Sequence, residues 1–179
     1  MEKLVIKAQE GDKEAFTKAI LLIKNDLYKI SKMKTTNEED IQDIIQETML
    51  DAYKYLKKLK EPKKFKAWII KILINNCNKY YRKKYKDNEI YDNYDIEFYK
   101  ENVRYSGEEQ LINNTLDFYE MIKNLKYEER IIVALYYGEN YTTKEISKIL
   151  SVNENTIKTR ISRAKEKIKN TYKGGNYNG

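Results

Sequence analysis

The sequence predicts an all-α protein made of two small helical domains joined by a flexible linker. Its 179 residues include 6 Gly and 1 Pro, which is few for a protein rich in turns and strands. Apolar residues recur every three or four positions in several segments, which is the spacing of one helix face. Two basic stretches flank an acidic one, and this alternation of charge indicates separate modules with a tether between them.

Charge and periodicity together suggest where the domains begin and end. Two basic modules on one chain indicate a polyanionic partner that is contacted in two places. The expected order is a first basic domain, an acidic linker, a second basic domain and a disordered tail, at residues 1–86, 87–112, 113–173 and 174–179.

Four helices are expected in the first domain, at residues 2–9, 13–34, 38–59 and 62–84. Asp12 and Asn37 stand just before two of them and are favoured N-cap residues, because their side chains accept hydrogen bonds from free backbone amides. Pro62 fits the first turn of the fourth helix, where a backbone N–H has no partner in any case. The first domain is therefore expected to be a small helical bundle.

The outward face of the third helix mixes acidic and apolar residues. A leucine and a tyrosine lie beside two acids, on the side opposite the apolar stripe. An apolar centre with a charged rim is typical of a protein-docking patch. An ordinary surface with a stray leucine explains the pattern equally well. The candidate docking residues are Asp43, Gln46, Glu47, Leu50 and Tyr53.

The fourth helix and the segment before it form a strongly basic stretch. From Lys57 to Lys86 there is a single acid, Glu61, among many lysines. The helix is apolar around most of its circumference, which leaves a narrow polar strip. Lysine, arginine and asparagine side chains there suit a nucleic-acid track, although a basic rim around a core helix would look similar. The candidate residues are Lys63, Lys64, Lys71, Asn75, Asn78 and Arg82.

The second domain is expected to end in a helix-turn-helix. Thr142 and Glu145 have the spacing of a capping box, which marks the start of a helix. The residues "SVN" then make a tight turn, and Asn153 can cap the last helix. In this layout the last helix is available to enter the major groove of DNA. The predicted helices cover residues 113–125, 128–137, 143–150 and 153–171.

The last helix has an apolar face, which includes Ile157 and Ala164, and a basic, hydrogen-bonding face opposite to it. A basic side chain on that second face can read a guanine edge. Further basic residues, such as Lys167, are expected to neutralise phosphates. A solvated basic face is the alternative explanation. The candidate DNA contacts are Asn155, Thr156, Lys158, Thr159, Arg160, Ser162 and Arg163.

The composition argues against several classes of protein. There is no His and only one Cys, so we expect no internal disulfide, no zinc site and no histidine acid–base chemistry. Neither a cofactor nor an enzymatic activity is expected. No N-terminal stretch resembles a signal peptide, and no run approaches about 20 apolar residues. The protein is therefore expected to be soluble and cytoplasmic, with no membrane insertion.

Four motifs in this chain resemble those of a known family. They are "GDKEAF", "DIIQE", "FKAWIIKILINN" and "TTKEISKILSVNENTIKTRISRAKEKI", at residues 11–16, 43–47, 65–76 and 142–168. Their order and spacing resemble the extracytoplasmic-function (ECF) group of the sigma-70 family of RNA polymerase sigma factors. The resemblance implies a region 2 helical bundle, a region 4 helix-turn-helix, and a function in promoter-specific transcription initiation and stress response.

The resemblance also implies partners and residue roles. The polar residues of the docking patch match residues that contact the β′ clamp of core RNA polymerase, whose β subunit is a second expected contact. Leu59 to Phe65, together with Asn75, match the loop and helix that hold a flipped base of the −10 promoter element. The last helix matches the surface that reads the −35 element. An anti-sigma factor is a further expected partner, and the acidic linker is expected to thread the polymerase's RNA-exit channel.

Some positions depart from the family pattern, and other functions stay open. Lys79 stands where many members carry Asp, and Ile74, Ser147 and Ser162 replace commoner residues. A helix-turn-helix regulator that never docks on polymerase would explain the second domain but leave residues 43–47 without a task. A structural or RNA-binding helical protein would explain only the charge.

Overall fold

A computed structural model describes residues 1–84 and 118–174, and this part of the chain is helical with no β-strand. It contains two compact units, one within Met1–Tyr91 and the other within Asp92–Gly179. The predicted all-α class is therefore confirmed. The predicted linker at residues 87–112 and nearly all of the predicted tail lie outside the described residues.

The N-terminal unit contains five α-helices and two short 3₁₀ turns among its described residues. The 3₁₀ turns, Leu56–Lys58 and Pro62–Lys64, belong to the loop between the last two helices. The side chains of Asp12 and Asn37 accept hydrogen bonds from the third amide of their helices, which confirms both predicted caps. In chain order the helices are α1 Glu2–Gln9, α2 Lys13–Leu21, α3 Lys24–Lys32, α4 Glu38–Tyr55 and α5 Phe65–Lys84.

The single helix predicted at residues 13–34 is wrong, because the chain breaks between α2 and α3. Ile23 leaves helical geometry, with φ −122° and ψ 3°, and its side chain is buried. Leu22 is left 62% exposed. Five consecutive apolar residues, 19–23, cannot all face one core from a straight helix, so the break buries some of them and exposes others.

The core of the N-terminal unit forms where α5 packs against α3 and α4. Phe65, Ile69 and Leu73 of α5 are fully buried, as are Ile41 and Ala52 of α4. Removing such side chains from water provides most of the stability of a unit of this size. Burial also raises the pKa of the single thiol, Cys77, to about 12, so this cysteine is expected to be unreactive in the folded protein.

A buried carboxylate, Asp40, joins the start of α4 to the end of α5. It accepts hydrogen bonds from the Tyr80 hydroxyl at 2.9 Å and the Tyr81 hydroxyl at 3.3 Å, and it pairs with the Lys84 ammonium at 2.5 Å. Desolvation, together with the hydrogen bond to Asp40, raises the pKa of Tyr80. These contacts fix the last turns of α5 against α4.

The described part of the C-terminal unit contains three helices after helical residues 118–122. They are α6 Tyr127–Val133, which continues as one π-helical turn over Ala134–Gly138, then α7 Thr143–Leu150 and α8 Glu154–Gly174. The helix predicted at 128–137 is thus α6 plus the π turn.

The helix-turn-helix caps form as the sequence predicts. The amide of Thr142 donates to Glu145 at 2.9 Å, and the amide of Glu145 donates back to the Thr142 hydroxyl at 3.3 Å. Ser151 adopts a left-handed conformation with φ 56° and ends α7. Asn153 then accepts from the amide of Asn155 at 2.8 Å. These local contacts set the start of α8.

None of the helices described in the two units is both long and apolar enough to cross a membrane.

Candidate nucleic-acid and protein interfaces

The outer face of α4 presents the predicted docking residues together. Asp43, Gln46 and Glu47 are exposed, and Leu50 is 61% exposed. Tyr53, which is 44% exposed, contacts the ring of Phe16 edge-on at 5.2 Å between centroids. The opposite face of α4 is buried in the core. The stripe therefore lies on a helix that is anchored in the core, with apolar groups at one end and acids at the other.

Lys79, one of the departures from the family pattern, lies close to this stripe. Its ammonium group is 3.8 Å from the Glu47 carboxylate, and both side chains are largely exposed. An ion pair of this length in water contributes little to stability. Lys79 therefore leaves Glu47 accessible while reducing the negative potential at that end of α4.

Four of the residues predicted to contact the −10 element lie in or beside the loop between α4 and α5, and they fall into an exposed pair and a buried pair. Lys63 and Lys64 are exposed, and Lys64 pairs with Glu61 at 2.6 Å. Leu59 and Phe65 are buried, Phe65 completely. In this conformation the two buried side chains anchor the ends of the loop in the core, and their contact with a base stays a prediction.

Gln9, a residue that sequence reasoning missed, lies beside this loop. Its side-chain amide donates to the carbonyl oxygen of Leu56 at 3.0 Å and to that of Leu59 at 2.8 Å. The partners are about 50 positions apart in the chain, so no local pattern indicates the contact. Gln9 also lies two residues before the "GDKEAF" motif and is not part of it, so the motif does not single it out.

Tyr55, at the end of α4, is a second residue that sequence reasoning missed. Its ring is 37% exposed, with the Lys54 ammonium 5.2 Å and the Lys58 ammonium 5.0 Å from its centroid. An exposed aromatic ring among lysines offers a stacking surface beside cations, which suits an unpaired nucleotide. The signal in the sequence was the aromatic residue at the start of the basic stretch.

The polar strip on α5 forms as predicted from its periodicity. Asn75 and Arg82 are exposed, whereas Lys71 and Asn78 are half-buried. The adjacent Asn76 turns inward, where its amide donates to Asp51 at 3.1 Å. One asparagine of the pair therefore serves the core, and the other is available to a ligand.

The outer face of α8 exposes the predicted −35 residues, apart from a half-buried Arg160. Ile157 and Ala164 on the other side are buried. Lys158 pairs with Glu154 at 3.0 Å, and the Thr143 hydroxyl donates to the same carboxylate at 2.8 Å. The hydrogen bond from Lys158, followed by that from Thr143, lowers the pKa of Glu154.

Lys167 has a different position from the one that its charge suggested. Its ammonium group donates to both carboxylate oxygens of Glu129, at 2.7 and 2.8 Å, and so joins α8 to α6. The Glu129 side chain is only 12% exposed. We therefore expect Lys167 to hold α8 in place more than to neutralise a phosphate.

Known proteins resemble this chain over both units. Residues 21–86 match the family model for Sigma-70 region 2, and residues 115–168 match that for Sigma-70, region 4. The chain is 31% identical to the RNA polymerase sigma factor SigV of Bacillus subtilis, over 85% of this chain and 90% of that protein. It is 26% identical to the ECF RNA polymerase sigma factor SigW of the same organism, over 94% and 95%.

Two solved structures share the fold. CnrH, in complex with the cytosolic domain of CnrY, superposes with a TM-score of 0.69 over 97% of each chain at 18% identity. The sigma factor RpoE of Bartonella quintana, in complex with the anti-sigma factor NepR, gives a TM-score of 0.69 at 20% identity, over 88% of this chain and 96% of that one.

Proposed function

This chain belongs to the ECF group of the sigma-70 family of RNA polymerase sigma factors, and we propose that its two helical units divide the work of promoter recognition between them. As a sigma factor it binds core RNA polymerase and directs promoter-specific transcription initiation. The N-terminal unit docks on the polymerase and reads the −10 element, and the C-terminal unit reads the −35 element.

The docking surface proposed for core polymerase is the α4 stripe. The observation that carries the proposal is that Asp43, Gln46, Glu47, Leu50 and Tyr53 are all exposed on one face of a helix whose other face is buried. The acids suit a basic partner such as the β′ clamp, and the apolar end supplies area to bury on binding. A DNA-binding regulator that acts without polymerase has no use for this stripe.

The −10 surface proposed here combines the α4–α5 loop with the α5 strip. Lys63, Lys64 and Arg82 supply charge to phosphates, and Asn75 supplies an amide that can donate and accept hydrogen bonds at a base edge. Tyr55 adds a ring on which an unstacked base can rest, worth about 1–3 kcal/mol in related settings. Trapping unpaired bases in this way favours the open state of the promoter.

The −35 surface proposed here is the outer face of α8. Its N-terminal turns present Asn155, Thr156 and Thr159, which can hydrogen-bond to bases or phosphates. Lys158 and Arg163 flank them, and a bidentate contact from Arg163 to guanine would supply about 1–3 kcal/mol of discrimination. Arg160 completes the predicted set.

The proposal assigns no catalysis to this chain, because phosphodiester synthesis belongs to the polymerase. An anti-sigma factor is proposed as a further partner, since two proteins of the same fold were solved in complexes with a second protein, and one of those second proteins, NepR, is an anti-sigma factor. We propose a cytoplasmic location, where promoter DNA and polymerase are found.

The test is reconstituted transcription with core polymerase from the organism that encodes the chain. Fragments of the genome of that organism serve as templates, and run-off products are sequenced with and without the protein. We expect a small set of new start sites that share sequence near −10 and −35. Failure to bind core polymerase, or start sites that do not change, would contradict the proposed function.

A further inference from the structure

The loop that joins α4 to α5 depends on backbone carbonyls that its own residues do not fully satisfy. The last carbonyls of a helix lack partners within the helix. The Leu56 carbonyl receives the amide of Leu59 at 3.1 Å, which closes the first 3₁₀ turn. The carbonyl oxygens of Leu56 and Leu59 also accept hydrogen bonds from outside the loop, from the side-chain amide of Gln9.

Gln9 is held in position by the structure around it. It is the last residue of α1, and its neighbours Val5 and Ala8 on the same helix are buried. After it the chain turns through Gly11, whose φ of +110° is strained for residues with a side chain. The amide of Asp12 donates to the Lys7 carbonyl at 3.1 Å, which closes this turn.

The two hydrogen bonds use both donors of the Gln9 amide. A primary amide carries two N–H groups, and here each has a backbone oxygen within 3.0 Å. One contacted oxygen belongs to Leu56, the first residue of the 3₁₀ turn Leu56–Lys58, and the other to Leu59, which follows the turn. One side chain therefore fixes the point at which the basic loop leaves the core.

We propose, on the footing of the function proposed above, that Gln9 is the positioning residue for the loop that reads the −10 element. Gln9 lies outside residues 21–86, which match the region 2 model, so α1 becomes part of the promoter-reading surface. Gln9 acts through the loop and touches no base itself. Gln9 orders the loop before DNA arrives. Binding of an unpaired base therefore carries a smaller entropic cost, because the loop is already ordered.

The experiment uses the full chain assembled with core polymerase. The probe is a single-stranded DNA pool with a randomised stretch, from which wild-type holoenzyme first selects a preferred sequence. Four proteins are compared: wild type, Gln9→Met, Gln9→Lys and Asn25→Met. Methionine keeps the length of Gln9 without its donors, lysine restores donors, and Asn25 is an exposed amide on α3 that serves as the control.

The measured quantity is the ratio of affinities for the selected sequence and the unselected pool. We expect Gln9→Met to lower this ratio roughly fivefold, as the loss of two hydrogen bonds suggests. Gln9→Lys and Asn25→Met should stay within about twofold of wild type. Using a ratio cancels the general gain in DNA affinity that the added lysine charge brings.

Amide hydrogen exchange in the free protein separates positioning from general unfolding. We expect exchange in Gln9→Met to accelerate in residues 57–64 and to be unchanged in the buried parts of α3 and α4. An unchanged affinity ratio, an accelerated exchange throughout the unit, or a failure of Gln9→Lys to restore the ratio would overturn the inference. If wild-type holoenzyme selects no sequence at all, the proposed function fails instead.

Discussion

The two units build their candidate DNA-contacting surfaces from different kinds of contact. In the C-terminal unit the surface comes from one stretch, Thr142 to Arg163, whose helix caps are made by neighbours within four residues. One distant ion pair, Lys167 with Glu129, adds to these local contacts. In the N-terminal unit it depends on contacts between distant residues, such as Gln9 with Leu59 and Asp40 with Lys84. Single substitutions on the C-terminal surface should therefore have separate effects, whereas the N-terminal surface also depends on contacts in the core of its unit.

This difference suits the two tasks proposed for the units. Reading duplex DNA requires a helix that fits a groove, and an amphipathic helix with good caps supplies one. Holding an unpaired base requires an irregular loop with a fixed backbone, and such a loop must be braced from several sides. Substitutions in each unit can test whether the N-terminal surface depends on distant contacts and the C-terminal surface mainly on local ones.

Reversing charge on α4 should cause the largest loss of function, a loss of affinity for core polymerase through the N-terminal unit. We expect Asp43→Lys/Glu47→Lys to weaken core polymerase binding roughly 100-fold, because like charges brought together at an interface cost several kcal/mol. Fluorescence titration with core polymerase measures this. The control is Glu2→Lys/Glu10→Lys, which reverses two exposed acids, one at the start of α1 and one directly after its end. Equal losses in the two double variants would mean that the α4 stripe is not the docking surface.

Removing Asp40 should loosen the N-terminal unit alone. Asp40→Ala leaves the hydroxyl of buried Tyr81 and the ammonium of Lys84 without this acceptor, so we expect a loss of about 2–3 kcal/mol in unfolding free energy. Denaturant unfolding measures the loss, and hydrogen exchange should rise in α4 and α5 but not in α8. Glu39→Ala removes the exposed neighbouring acid and should change little. A similar loss in both variants would argue for a general charge effect.

Arg163 and Lys167 are both basic and lie about one turn apart on α8, but their substitutions should have different effects. Arg163→Ala is expected to lose about 1–3 kcal/mol of discrimination between −35 sequences. Lys167→Ala should leave the salt dependence of duplex binding nearly unchanged, because Glu129 already pairs with this lysine. Lys165→Ala, at an exposed position, should lower the salt slope by about one. A lowered slope in Lys167→Ala would show that the ion pair opens to meet phosphate.

The smallest effect should come from the capping box of α7. Thr142→Ala removes the hydroxyl that the amide of Glu145 donates to, and we expect a loss of about 1 kcal/mol, confined to residues 142–150. Hydrogen exchange of that segment measures it, and Thr142→Ser should behave like wild type. A loss that spread into α6 would mean that the C-terminal unit is less local than its contacts suggest.

Local signals in the sequence predicted much of the C-terminal unit. The capping box at Thr142 and the start of α8 follow from hydrogen bonds between residues a few positions apart. In the N-terminal unit, Asp12 and Asn37 were predicted by the same reasoning. The break at Ile23 was missed because apolar residues keep helical spacing across it.

Periodicity and capping are properties of short segments, so the helical class, the caps and the outward faces of α4, α5 and α8 could be predicted from the sequence. The burial of Leu59 and Phe65, the pairing of Lys167 with Glu129 and the contact of Gln9 with the loop became visible in the folded structure alone. Each of these features depends on which segments, far apart in the sequence, pack together in the fold. A short-range pattern in the sequence does not contain that information.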